Sequence, residues 1–326
     1  HHGKVDPTVV PVIEEGTAPG ALVIDARGGF AAPAFAMARP MLISKAKSQG
    51  IAFLSLRNAC NFSALWCDVE PLAEAGLVAL TTVNTKAFVS YGVGSSERVL
   101  GTNPIAFAFP CGGQAEGEEE VGGNRSSPLV FDMATSAMAR GEIQLKAQQQ
   151  QQCQPEQGGG GRGGGGGGGV VELPAGVAVD VEGRETRDPG EALLGAQLAF
   201  GGHKGLLLSL LVELLSSAFT GSPSSLAQRE EDPDWYGPTA AGQFVLAIDP
   251  MGGGRSGSGA SRRALALLEA LGGGGEGGGG KRLPGEARRK HREQVAATGK
   301  VEVEEKLLEE VRGLAEGRPP ISQGYM

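Results

Sequence analysis

Apolar positions along the chain form short runs that alternate with helical stripes. Ala21–Ile24 is an apolar run, followed by turn-like Asp25–Gly29. Over Phe30–Gln49, residues Ala34, Met37, Met41 and Ala46 fall near one face, which predicts a helix; Pro40 either kinks it or reflects local divergence. Ile51–Leu56 reads as a strand and Leu77–Val83 as another. Between them Phe62–Ala75 reads as an amphipathic helix, closed by Gly76 at a C-terminal cap position. Two strand–helix–strand units in succession predict an α/β layout.

Further along, Ile105–Phe109 and Leu129–Phe131 are short apolar strands, and Met138–Lys146 reads as helical. Gln148–Gln152 and the glycine run Gly158–Gly169 then bury too little to offset their chain entropy, and read as a disordered insertion in a surface loop. Gly205–Thr220 carries the strongest helical pattern, Phe244–Ile248 reads as a strand, and Ser261–Leu271 as a helix. A second run, Gly272–Gly280, follows. The terminal helix spans Glu302–Leu314, with Leu307, Leu308, Val311 and Leu314 on one face. The glycine runs sit inside a domain. The expected organisation is one unit over 1–326, with low-complexity inserts at 148–169 and 252–280.

The chain has 326 residues, of which 55 are glycine, yet 40% are hydrophobic and 20% charged. That is ample material for a core and excludes a wholly disordered chain. A formal charge of -8 argues against nucleic acid as a partner. No stretch approaches the ~20 apolar residues that span a bilayer, so no membrane role is expected. Cys60, Cys67, Cys111 and Cys153 match no zinc spacing, and no metal site is expected. Reduced thiols point to a reducing compartment, hence a cytoplasmic location. The chain begins with His1, so the natural N-terminus, and any targeting signal on it, is expected to be missing.

Gly92-Val93-Gly94 is only half of a dinucleotide fingerprint and reads as a plain turn. Four stretches are more specific. They are Leu100-Gly101-Thr102-Asn103-Pro104 leading into Ile105–Pro110, Phe131-Asp132-Met133-Ala134-Thr135-Ser136, Gly201-Gly202-His203-Lys204-Gly205, and Arg282-Leu283-Pro284-Gly285-Glu286. Asn58–Gly76, the loop carrying Asp180, Gly183, Thr186, Asp188 and Pro189, and the strand Phe244–Pro250 extend the pattern. In this order they resemble the malate/L-lactate dehydrogenase family, which also holds ureidoglycolate and sulfolactate dehydrogenases. The resemblance implies an α/β malate/L-lactate dehydrogenase-2-like fold, not a Rossmann fold. It also implies NAD or NADP as cofactor, a homodimer with cofactor near the subunit interface, and interconversion of a small 2-hydroxy acid and its 2-oxo acid.

The chemistry of the matched residues agrees. Lys204 sits between glycines ahead of a long helix, where its ammonium and the helix-start amides suit a phosphate or a carboxylate; otherwise it is a solvated lysine in a turn. Asp132 follows a strand and suits ribose or nicotinamide-side hydrogen bonds, or an N-cap of the helix after it. By resemblance Asp132, Met133 and Ala134 lie on the cofactor. Thr85 matches a family serine and offers a hydroxyl to the nucleotide, or simply ends a strand. Arg282 suits bidentate phosphate pairing, or is a surface charge. Thr102, Asn103 and Pro104 are expected to shape a turn.

Departures from the family pattern concern the proton. The family's catalytic histidine in Asn-x-x-His-Phe-Gly is Asn61 here, within Asn58-Ala59-Cys60-Asn61-Phe62-Ser63. An amide orients a carbonyl but does not titrate near neutrality. Losing general acid–base help removes on the order of a hundredfold to ten-thousandfold in rate. His2-Gly3 resembles a family His-Gly pair, or is a frayed terminus, while Asp6 falls where an arginine clamp is expected. Lys-Gly-Tyr-Gly becomes Lys204-Gly205-Leu206-Leu207. Two functions follow as expectations: an NAD(P)-dependent dehydrogenase of 2-hydroxy acids with impaired turnover, and a catalytically degenerate homologue that binds nucleotide or only dimerises.

Overall fold

The computed structural model describes residues 5–14, 18–111, 127–153, 171–233, 240–252, 259–270 and 284–317. They divide into two compact units, drawn from Lys4–Leu267 and from Leu268–Met326. The larger unit opens with β1 (Val12–Ile13), β2 (Ala21–Asp25), α1 (Ala31–Gln49), β3 (Ile51–Cys60), α2 (Trp66–Glu74) and β4 (Val78–Val83). It continues with β5 (Ile105–Phe109), β6 (Leu129–Met133), α3 (Arg140–Cys153), β7 (Ala178–Val179), β8 (Glu185–Thr186), α4 (Pro189–Leu194) and β9 (Ala196–Gln197). α5 (His203–Glu213), α6 (Ser225–Glu231) and β10 (Ala240–Ile248) follow, and α7 spans Ala260–Ala270. The smaller unit contains α8 (Glu286–Thr298) and α9 (Glu305–Ala315).

Seven strands form one mixed sheet in the order β1-β2-β3-β10-β4-β5-β6. β2 and β3 pair in parallel through the α1 crossover, as the strand–helix–strand pattern requires. The second unit departs from that pattern. β10 enters between β3 and β4, antiparallel to both, so these two strands never touch. A three-stranded sheet β8-β7-β9 is separate. The α/β class expected from the sequence is therefore present, with no Rossmann strand order.

One core joins the sheet to α1 and α2, with Ala34, Leu42, Leu54, Leu56, Val69 and Leu72 all buried. Each buried leucine contributes about 1.5–3 kcal/mol. α1 remains one helix through Pro40, which lies on its exposed side. Elsewhere on the sheet, the rings of Phe53, Phe219 and Phe244 pack at 5.3–6.0 Å.

The long helix expected over Gly205–Thr220 changes character: α5 passes into a π-helical turn at Leu214–Ala218. Thr220 Oγ1 donates to Ser216 O at 2.6 Å, and the Ser216 and Thr82 hydroxyls lie 2.8 Å apart. β10 bulges opposite this turn, with a register shift between Ala241 and Gln243. Gly242 occupies the bulge because a Cβ there would sit 1.7 Å from Ser216 O. α3 also runs further than expected. It continues through the glutamines to Cys153, with Gln150 Nε2 donating to Asp188 Oδ2 at 2.7 Å. Helix α2 starts at Trp66, four residues later than its apolar pattern suggests, leaving Phe62 79% exposed.

Substituting Gly242→Ala is expected to destabilise the larger unit by about 2–3 kcal/mol through backbone overpacking. A urea midpoint equal to that of the parent protein would refute this account of the bulge.

Candidate active site

A run of hydrogen bonds brings together the segments that carry Thr85, Asp132–Ala134 and Lys204 from distant parts of the chain. β6 carries Asp132 and Met133, paired across to Ala106 and Ile105 of β5. Past Ala134 the chain lies against residues 198–200: Phe200 N donates to Thr135 O at 3.0 Å and Ala137 N to Leu198 O at 2.8 Å. Phe200 leads into Gly201 and Gly202, both at positive φ (58° and 63°), and then α5 begins. Thr135 donates its N–H (2.9 Å) and its hydroxyl (3.1 Å) to Thr102 O. Thr102 N in turn donates to Thr85 Oγ1 at 3.0 Å. Thr85, Asp132–Ala134 and Lys204 thus stand on three adjoining segments, although no hydrogen bond or ion pair joins Lys204 to Asp132.

Asn103 anchors this assembly from inside. It is fully buried at a positive φ of 38°, and its Nδ2 donates to Ser209 O (3.2 Å) and Glu213 Oε2 (3.0 Å) on α5. Its Oδ1 accepts the Thr85 N–H at 3.0 Å. Glu213 also receives Ser225 N at 2.6 Å, which ties in α6. Asn103, expected to shape a turn, takes a positive φ in a segment without regular structure, and its side chain holds α5 in place. The motif loop around Asp188 is structural in a similar way, since Asp188 caps α4 by accepting Glu191 N at 2.9 Å.

Asn61 enters through α2. The N-cap position, Leu65, offers no side-chain acceptor. Instead Asp132 Oδ2 reaches over from β6 and accepts the Trp66 N–H at 3.0 Å. The cap role weighed for Asp132 is therefore real, but it serves α2 and not the helix that follows Asp132. A carboxylate at a helix start is favourable both as acceptor and as charge. Asn61 lies in the short link between Cys60, held by the sheet, and Trp66. Its Nδ2 is buried and meets no acceptor among the described residues.

Lys204 is exposed in the first turn of α5, a turn that holds no acidic residue. Gly205 lets that turn close on Phe200, because a Cβ would sit 2.0 Å from Phe200 O. Beside it opens a cleft of about 560 Å³ lined by Tyr91, Val93, Met138, Pro174 and the backbone of Gly201–Gly202. Free amides, glycine backbone and a lysine at a helix start fit the phosphates of a dinucleotide. The Gly92–Gly94 turn packs on Gly183, where a Cβ would meet Gly94 at 2.8 Å, and carries no helix of its own. Thr85 Oγ1 is engaged with Thr102, and Met133 is 39% exposed. Asp6 accepts both the N–H and the hydroxyl of Thr8, which hold its carboxyl below the usual range. His2 and Arg282 lie outside the described residues.

One group here was not singled out by the sequence. Asp68, in the first turn of α2, is buried, and Gln243 Nε2 from β10 donates to its Oδ2 at 2.7 Å. Burial pushes its carboxyl up to about 6; the Gln243 bond opposes this and the negative charge of Asp132 adds to it. An acidic residue within an N-terminal helical turn was visible in the sequence, but its burial against β10 was not.

The family model for malate/L-lactate dehydrogenase matches residues 1–164 and 170–312. The chain belongs to the malate/L-lactate dehydrogenase family. Within it, the chain is 40% identical over 320 residues to a Delta(1)-pyrroline-2-carboxylate/Delta(1)-piperideine-2-carboxylate reductase of Pseudomonas putida, covering 95% of this chain and 80% of that one. It is 37% identical over 312 residues to a Delta(1)-pyrroline-2-carboxylate reductase of Ancylobacter novellus, covering 96% and 80%. The crystal structure of delta1-piperideine-2-carboxylate reductase from Pseudomonas syringae superposes with a TM-score of 0.75 at 37% identity, covering 94% of this chain and 81% of that one. Sulfolactate dehydrogenase from Methanocaldococcus jannaschii gives 0.71 at 27%, covering 97% and 81%. Oxidoreductase chemistry with NAD(P) is thus common ground for family and chain. No described helix is long and apolar enough to cross a membrane.

Asp68 has a folded-state value above the ordinary 3.8 of an aspartate. The folded form therefore holds this proton more tightly, and the associated stability is complete below pH 3.8 and lost as pH rises through about 6. Relative to Asp68→Asn, the parent protein is expected to lose about 2–3 kcal/mol between pH 4 and pH 7. Urea unfolding of both proteins across that range checks it; parallel curves would contradict the assignment.

Proposed function

We propose that the chain is an NAD(P)H-dependent reductase of cyclic imine carboxylates of the Δ1-pyrroline-2-carboxylate and Δ1-piperideine-2-carboxylate class. The observation that carries this reading is Asn61, an amide with a buried, unengaged N–H group at the position where the family pattern has a histidine. Reducing a ketone carbonyl builds negative charge on oxygen, which must be met by a proton donor. A protonated C=N group already carries its proton. Hydride arrival neutralises the nitrogen, and no anion develops there. Asn61 can then orient the substrate through Nδ2 without having to titrate. The malate- or lactate-like substrate expected from the family resemblance gives way to this class, which is also the one named for the relatives at 37–40% identity.

The other residues support the same reading. Lys204 and the first turn of α5 supply positive potential for the cofactor phosphates. The bound dinucleotide supplies the hydride. Asp132 places negative charge beside the start of α2, close in sequence to Asn61, and so favours a cationic iminium over a neutral ketone. Thr85, Met133 and Ala134 are proposed to border the cofactor, with His2 and Arg282 as further contributors. The reading includes a homodimer, supported by α5 and its continuation. Leu207, Leu210, Leu211 and Leu214 are each 44–61% exposed there, an apolar surface that water disfavours.

NADPH and NADH oxidation should be rapid with either cyclic imine and at least about a hundredfold slower with pyruvate or oxaloacetate. Lys204→Ala should raise the KM for the cofactor about tenfold or more while sparing kcat. Faster turnover of the oxo acids would overturn the substrate class, and dinucleotide binding with no turnover of any of these compounds would leave a binding protein. Leu207→Glu with Leu211→Glu should convert the dimer to a monomer in light scattering; an unchanged mass would remove α5 from the interface.

A further inference from the structure

Asp68 takes no part in the chemistry described above, yet it is tied to the site from two directions. Gln243, fully buried on β10, uses one amide nitrogen to donate to Asp68 Oδ2 at 2.7 Å and to Thr81 Oγ1 at 3.1 Å. The Thr81 hydroxyl in turn donates to Phe244 O at 3.1 Å. Asp68 is therefore fixed to the centre of the sheet. Asp132 holds the same helical turn two residues earlier, where its Oδ2 accepts the Trp66 N–H.

We propose that Asp68 is a positioning residue of the reductase: through Asp132 it sets the first turn of α2, and with it the Asn61–Leu65 link that presents Asn61. The proposal rests on the reading of this site as a reductase centre. Asp132 from β6 is the ionisable group that acts on Asp68 from a neighbouring strand. β10 and β4 contribute the neutral Gln243 and Thr81. β5 has no ionisable residue, and the buried face of α1 is alanine, phenylalanine and leucine. Glu70, also buried, lies on α2 itself.

The arrangement has two states. With Asp68 neutral, the Asp132 carboxylate rests on the Trp66 N–H with no charge on Asp68 to oppose it. When Asp68 ionises, its charge and that of Asp132 both act on the first turn of α2, where the burial of Asp68 weakens solvent screening. Asp68 is held by Gln243, so Asp132 and the turn it caps are the parts that yield. The midpoint of this change lies near pH 6, where burial has moved the Asp68 carboxyl.

Trp66 reports the change directly. The chain has two tryptophans, Trp66 and Trp235. In a Trp235→Phe background, Trp66 emission should show a transition near pH 6, absent when Asp68→Asn or Asp132→Asn is added. Steady-state rates supply the second readout. The ratio of kcat/KM for Δ1-pyrroline-2-carboxylate in Asp68→Asn to that in the parent should rise roughly threefold to tenfold from pH 5 to pH 7. The substrate's own titration cancels in that ratio. A transition that persists in either variant, no transition in the parent, or a ratio that stays level would overturn the proposal. A Trp66 transition abolished by both variants in a protein that turns over no cyclic imine would leave the role of Asp68 on α2 standing while defeating the substrate assignment.

Discussion

The Asp132 carboxylate holding the Trp66 N–H joins the two halves of the site. α2 has no cap of its own, because Leu65 offers no acceptor. Asp132 supplies the acceptor that Leu65 lacks, while the Leu65 side chain, buried in the core, holds the far end of the link carrying Asn61. The same carboxylate belongs to the segment whose continuation, through Thr135, hydrogen-bonds Phe200 just ahead of α5. One side chain therefore relates the segment carrying Asn61 to the start of α5, with the sheet as the rigid frame between them.

That frame depends on close backbone approaches. Gly205 and Gly242 both stand where a Cβ would sit 2.0 Å or less from a carbonyl oxygen. One brings α5 onto Phe200, and the other brings β10 onto the π-helical turn at the end of α5. Between them Asn103 and Glu213 lock the helix from within. α5 is thereby held at its start, middle and end, while its leucine-rich outer side stays exposed. Ordinary dispersion packing would not hold so exposed a helix; short polar contacts and glycine approaches do.

Much of the proposed site was nameable from the sequence because its residues sit in local strings. Asn61, Asp132, Met133, Ala134 and Lys204 each lie beside a strand end or a helix start, and a glycine or small-residue signature marks two of those places. Asp68 and Gln243 were not legible. An aspartate in a helical first turn reads as an ordinary favourable charge, and a glutamine inside an apolar strand reads as noise. Only their meeting, across 175 positions of sequence, shows that the charge is buried. The same holds for Asn103, whose turn was expected but whose partners on α5 lie more than a hundred residues away.

Local pattern alone determined most strands of the large sheet and the helices α1, α2, α3, α5, α7 and α9 in outline, that the class is α/β, and which residue types are available for dinucleotide chemistry. These follow from steric and hydrophobic preferences acting over a few residues. The tertiary structure decided where β10 inserts, which helix Asp132 caps, where α5 becomes a π-helical turn, and how far Asp68 is removed from water. Those outcomes depend on contacts between segments distant in sequence, and on a dielectric environment that exists only once such segments have packed.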